Sequence, residues 1–172
     1  MMSRTIQPAA ARSRRTGRAS VEETAVPESA KPRALPGRKL RFLGDIEIRC
    51  GEESLSLPQS RKTRALLAYL AVSGKPHRRE RLCSLLWDIT DDPRAALRWS
   101  LSKLRPLVDE PGQPHILATR DTVSFVAEGL EIDVLNVRRQ HASGIAGLPI
   151  AALQALAAEY RGEFLEGLEL TD

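Results

Sequence analysis

DDPRAALRWSLSKLRPLV, residues 91–108, decides how this chain is read. Asp91 or Asp92 supplies an N-cap, and Pro93 takes the first helical position, where its missing N–H costs nothing. At about 100° per residue, Leu97, Leu101, Leu104, Leu107 and Val108 fall on one arc, which predicts a stripe facing a core. Arg94, Arg98, Ser102 and Arg105 cluster on a second arc, extended by Trp99 and Lys103. That outer face is basic, carries one large aromatic and has no acid. Pro106 is expected to end or kink the helix, which sets its predicted span at 93–106.

Two helices are predicted just upstream. Ser60 and Gly74 bracket the first, with Leu66, Leu67 and Leu70 at helical spacing. Arg61, Lys62 and Arg64 sit in its first turn, against the dipole preference, which a nearby anion would explain. The second runs from about Arg78 to Trp87, with Leu82, Leu85 and Leu86 as its buried face. Cys83 reads as a small core residue and Trp87 as a core or lip residue. His77, Arg78, Arg79 and Arg81 crowd its start.

Strand patterns flank the three helices. Leu40, Phe42, Gly44, Ile46, Ile48 and Cys50 alternate with more polar neighbours, which predicts one half-buried strand or two bent at Gly44. Gly51-Glu52 is a turn signal, and Ser54–Leu57 alternates again before Pro58. Downstream, Ile116, Val123 and Phe125 predict a hairpin over 115–126 with its tip near Thr119–Asp121. Arg-Asp is a poor two-residue hairpin turn, so a longer or irregular tip is expected. Two more helices follow, DVLNVRRQHAS ending near Gly144 and PIAALQALAAEYRGEFLEGL starting at Pro149. Two helices of that size do not make a stable domain alone, and they are expected to pack back on the preceding elements.

Composition narrows the function. The 172 residues are 42% hydrophobic and 28% charged, ordinary for a globular chain, but only 4% aromatic, so the core must be mostly aliphatic. No stretch approaches the roughly 18 apolar residues of a membrane-spanning helix. Two cysteines and three scattered histidines offer no disulfide framework, metal site or histidine-based catalytic site. No phosphate-binding glycine loop, paired-carboxylate site or nucleophile elbow appears, so neither an enzyme nor a cofactor is expected.

The net charge of +4 hides a partition: +6 over residues 1–39, −2 over 40–57, +7 over 58–108 and −7 over 109–172. A block as basic as 58–108 suggests a polyanion partner. The bland alternative is a solvated face paired to the acidic block. Residues 1–39 contain four prolines and no apolar periodicity, and are expected to be a disordered basic tail lacking the apolar core of a secretory signal.

The expected architecture is α+β: a winged helix-turn-helix with N-terminal antiparallel strands and a C-terminal hairpin wing, followed by a short helical segment. Its later helix would enter the major groove of double-stranded DNA, where arginines can pair bidentately with guanine O6 and N7. Ser102 can reach a base or a phosphate, Trp99 can pack on thymine methyls, and His77–Arg81 would lie near phosphates that position the protein. The rival is a protein-interaction adaptor that uses the basic face with Trp99 as an anchor.

LPQSRKTRALLAYLAVSGKPHRRERLCSLLW, DDPRAALRWSLSKLRPLVD and AAEYRGEFLEGL together resemble the SARP family of bacterial transcriptional regulators. The resemblance covers about residues 40–172. It implies an OmpR-type winged helix over 40–130 and the truncated start of a TPR-like bacterial transcriptional activator domain over 131–172. It makes Arg94, Arg98, Trp99, Ser102, Lys103 and Arg105 the recognition-helix candidates, with Thr119 and Arg120 in the wing. Arg78, Arg79 and Lys62 join them as DNA contacts, and Asp88, Thr90 and Asp91 fall where such a fold can touch RNA polymerase. It further implies a cytoplasmic, nucleoid-associated protein that binds direct repeats as a homodimer. Many members carry Ser or Thr where this chain has Arg78, which predicts a weak cap on the second helix. Members also continue for many more helices, so a fragment or a DNA-binding remnant is expected. No receiver segment precedes the winged helix, so control of the phosphorelay kind is not expected.

Overall fold

The computed structural model describes residues 37–170, all within one compact unit, Ala34–Asp172. The disordered tail expected over 1–39 lies outside the described residues except at its end, and there the chain is already a strand. β1 (Arg38–Arg41) pairs antiparallel with β2 (Glu47–Cys50), and β2 pairs with β3 (Glu53–Leu55). Composition hides this start because Arg38 and Lys39 read as tail. In the fold, the Arg38 guanidinium donates to the carbonyls of Pro106 and Leu107, and Lys39 Nζ lies 3.1 Å from Glu159.

α1 (Arg61–Ser73) follows, then β4 (His77–Arg78), α2 (Arg79–Leu86) and α3 (Pro93–Val108). β5 (Ile116–Ala118) and β6 (Thr122–Phe125) form a hairpin, and β4 pairs with β6 to make a three-stranded sheet. β7 (Glu131–Ile132) runs parallel to β1 and completes a four-stranded sheet in the order β3-β2-β1-β7. α4 (Asp133–Ser143), a single 3-10 turn (Ile145–Gly147) and α5 (Ile150–Glu159) close the described chain. The fold is α+β, with five α-helices and two small sheets among the described residues. No helix among those residues is long and apolar enough to cross a membrane.

The caps follow the sequence. Ser60 Oγ accepts from Thr63 N at 3.2 Å, and Gly74 ends α1 at φ +60°, a conformation glycine adopts without strain. Of the two aspartates before α3, Asp92 is the cap, accepting from Ala95 N at 2.8 Å. Arg78 gives α2 no side-chain cap, as expected. The core is aliphatic: Leu40 and Ile48 of the first sheet meet Leu66 and Leu70 of α1, Leu82 of α2 and Leu104 of α3, all fully buried. Each such side chain contributes about 1.5–3 kcal/mol. Cys83 and Trp87 join that core, as predicted.

Four local expectations need correction. α3 continues through Pro106 to Val108. The exposed ring does not stop it, because Val108 is fully buried and Arg38 takes the terminal carbonyls. Leu85 is 52% exposed instead of buried. The hairpin tip is not longer but irregular: Thr119 faces Thr122 across Arg120-Asp121, and the Thr119 hydroxyl accepts from the backbone N–H groups of Asp121 and Thr122, while neither central residue takes the positive φ that glycine usually supplies. Finally, α5 stops at Glu159 although Tyr160 and Phe164 continue its helical spacing. Gly162 lets the chain approach Gly44, where Gly44 N donates to Glu163 O and Leu165 N to Phe42 O, both at 2.8 Å. The C-terminal segment thus packs back on the first sheet, as expected.

Asp133 opens α4 and is fully buried. One carboxylate oxygen accepts from Phe42 N and Leu43 N at 2.8 and 2.9 Å, and the other from Val134 N at 2.6 Å. Removing it leaves buried donors unpaired, at about 1–3 kcal/mol each. Asp133→Ala is expected to lower the unfolding free energy by about 3 kcal/mol, read from urea denaturation, whereas Asp133→Asn keeps an acceptor and loses less.

His77 is buried beneath the Tyr69 ring, its Nε2 2.6 Å from Ser73 Oγ. Burial, reinforced by the Lys75 and Arg81 cations, pushes its pKa below the ordinary 6.5. Above pH 6.5 the ring is neutral folded and unfolded; below it the unfolded chain takes up the proton first. Stability is therefore expected to fall as the pH drops through 6.5, and His77→Gln to flatten the melting temperature between about pH 7.5 and 5.5.

Candidate nucleic-acid interface

α3 owes its placement to its inner face. Leu97, Leu101, Leu104 and Val108 are buried, and so is Ser100, whose hydroxyl lies 2.8 Å from that of Thr63 on α1. A satisfied hydroxyl pair inside an aliphatic core fixes register as well as contact. The opposite face therefore looks outward, and Arg94, Arg98, Trp99, Ser102, Lys103 and Arg105 are all exposed.

These six side chains are not equally available. Arg94 is tied to Glu80 of α2 at 2.6 Å. The Glu80 carboxyl is held below its usual range by a hydrogen bond to its own backbone in the first turn of α2, and next by Arg94. This pair bridges the two helices. Ser102 Oγ donates to Trp99 O at 2.7 Å. Lys103 Nζ lies 5.6 Å from the centre of the Trp99 ring, within cation–π range, and Trp99 remains 51% exposed. The side chains of Arg98 and Arg105 form no hydrogen bond or ion pair among the described residues.

The hairpin is pinned to the helices at both ends. At its base, Asp109 Oδ1, just past α3, accepts from His115 N and Ile116 N at 2.7 and 3.0 Å. At its tip, Arg79 N donates to Asp121 O and Arg79 Nε to Thr119 O, both at 2.9 Å. A hairpin carbonyl thus accepts from the first N–H of α2, one of the four a helix start leaves open, though not one that a Ser or Thr cap would take. Arg79, expected among the DNA contacts, spends its guanidinium partly on this pin. The Thr119 hydroxyl is likewise used within the turn. Arg120 stands exposed at the tip and Arg78 beside it at the start of α2, neither side chain bonded among the described residues.

Lys62 lies half-buried in the first turn of α1. Asp88, Thr90 and Asp91 are exposed on the turn between α2 and α3, where Thr90 N donates to Trp87 O. Sequence reasoning missed Ile89 between them, 79% exposed, although an isoleucine amid acids before a capped helix was a readable signal. It also missed Glu80 as partner of Arg94, a pairing across two helices that no local pattern announces. A shallow cleft of about 340 Å³ adjoins Trp99 and Lys103, walled by Leu57, Pro58 and Leu107. No group of acids, cysteines and histidines that could hold a metal occurs among the described residues.

A comparison with models of known protein families gives no match to this chain, and a comparison with curated proteins gives none either.

The Arg79 pin has a measurable consequence. Arg79→Ala removes one of the two bonds at the tip, worth about 1 kcal/mol. Amide hydrogen exchange at Thr119–Thr122 is expected to quicken about fivefold, with the helix content by circular dichroism unchanged.

Proposed function

We propose that this protein is a bacterial transcriptional regulator that reads double-stranded DNA in sequence-specific fashion. In this reading residues 40–130 are an OmpR-type winged helix-turn-helix of SARP kind, α3 is the recognition helix and the β5–β6 hairpin the wing. Residues 131–172 are the start of the helical activator domain. The protein works in the cytoplasm on the nucleoid, as a homodimer on direct repeats, with the exposed turn at Asp88, Thr90 and Asp91 facing RNA polymerase.

One observation carries the reading. Arg98 and Arg105 stand unpaired on an acid-free face of α3, beside Trp99 and Lys103. Cations around the first sheet find acids: Arg38 meets Glu110, Lys39 meets Glu131 and Glu159, and Arg41, Arg49 and Arg161 converge on Glu47. A helix about 10–12 Å across matches the width of the major groove. Arg94 is held against Glu80, so its role is to orient α3 on α2, and base reading falls to Arg98 and Arg105. Arg120, exposed at the hairpin tip, would meet a phosphate, which adds affinity without sequence preference.

The adaptor reading draws on a different observation: a half-exposed Trp99 next to the Leu57–Leu107 cleft is a plausible anchor for a protein partner. A genome-fragment binding selection at moderate salt separates the two. Enrichment of a repeated short motif supports DNA reading; binding without a motif, or none, supports the adaptor. Arg98→Ala and Arg105→Ala are each expected to weaken specific binding by about 1–3 kcal/mol. Arg120→Ala is expected to weaken binding to all sequences alike and reduce the salt slope by about one.

A further inference from the structure

We propose that the cleft between α1, the end of α2 and the C-terminal segment binds a small amphipathic anion: an apolar body with a carboxylate or similar head. The cleft encloses about 610 Å³, inside the range of about 300–1,000 Å³ that small-molecule sites occupy. Its floor is Ala65, Ala68 and Val72 of α1, and its walls are Leu85, Phe164 and Leu168.

Charge decides what kind of body fits. The charged residues lining the cleft are Lys75 and Arg138, both cations, and both exposed at its rim. Arg138 reaches from α4 to Val72 O at 3.4 Å, which holds its guanidinium over the α1 side. Lys75 forms no ion pair among the described residues. Residues 109–172 carry a net −7, yet no acid lines the cleft. The sorting is local: Phe164, Leu165, Leu168 and Leu170 line it, while the interleaved Glu163, Glu166 and Glu169 do not. Leu85, 52% exposed on a helix that otherwise buries its leucines, is accounted for by an occupant of this cleft. An apolar cavity with cations at its mouth and carboxylates turned away suits an anionic head above an apolar tail. The site shares no residue with the basic face of α3 and stands or falls independently of DNA binding.

The probe is dodecanoate, kept below its micelle threshold and titrated calorimetrically into the full chain. Dodecanol serves as the neutral control and dodecyltrimethylammonium as the cationic one. The expected result is saturable binding of one dodecanoate per chain, with both controls at least about tenfold weaker. Lys75→Ala and Arg138→Ala, both at exposed positions, are each expected to weaken dodecanoate about tenfold, the scale of a lost charge-assisted bond. Leu85→Glu, which sets a carboxylate in the cleft, is expected to abolish binding with the circular dichroism spectrum unchanged. Absence of dodecanoate binding overturns the proposal. So does equal binding of dodecanol, or indifference to both cation substitutions. If sedimentation shows a dimer that Leu85→Glu dissociates, a second copy covers the cleft and the proposal is likewise overturned.

Discussion

The backbone N–H and the Nε of Arg79 both finish on carbonyls of the hairpin tip, and the position of the hairpin against the helices depends on that arrangement. The first residues of a helix carry N–H groups that need acceptors. Here the acceptor comes from a hairpin some forty residues later. The hairpin is also held at its base by Asp109 at the end of α3. Helix α2, helix α3 and the hairpin therefore form a closed circuit, tightened by the Glu80–Arg94 pair. Rigid mutual placement of a basic helix and a hairpin tip is what a surface needs if it is to meet a rigid polyanion at two places.

The division of cations between paired and unpaired follows from where the elements lie. The bases around the first sheet are consumed there, Arg38 and Lys39 by acids of the C-terminal block and Arg41, Arg49 and Arg161 by Glu47 of the sheet itself. Glu47 shows how strongly: burial pushes its carboxyl up, yet three guanidinium groups outweigh that and bring it below the usual range. The outer face of α3 carries no acid of its own, and with Arg94 taken by Glu80 it retains Arg98 and Arg105. Charge totals alone left open whether the basic block paired internally. Within that block Arg94 is taken by Glu80 of the same block, while Arg98 and Arg105 stay on the outer face of α3.

The elements that sequence made legible are those with local chemistry. Ser60, Gly74, Asp92 and Pro93 mark helix ends through bonds spanning three or four residues, so the residues themselves announce them. The aliphatic stripe of α3 was legible for the same reason, and with it the outward position of all six candidate side chains. What stayed hidden depends on distant partners. Arg38 and Lys39 look like tail until Pro106 and Glu159 are seen beside them. Tyr160 and Phe164 keep helical spacing, but bonds from Gly44 and to Phe42 hold that stretch in a course of bends and turns. Arg79 looked like a phosphate contact because nothing local shows that Thr119 O lies 2.9 Å away.

Asp133 also orders events in time. β1 has its antiparallel partner within a few residues, but its parallel partner β7 and the acceptor for the two amides that follow it come about ninety residues later. Closing so long a loop costs chain entropy before any contact rewards it. The helices and the hairpin can gather by short-range contacts first, while the opening sheet waits half-built with two amides unanswered. On a ribosome that wait lasts until the start of α4 has emerged. The strand that begins the described fold is thus expected to be among the last parts of it to be completed.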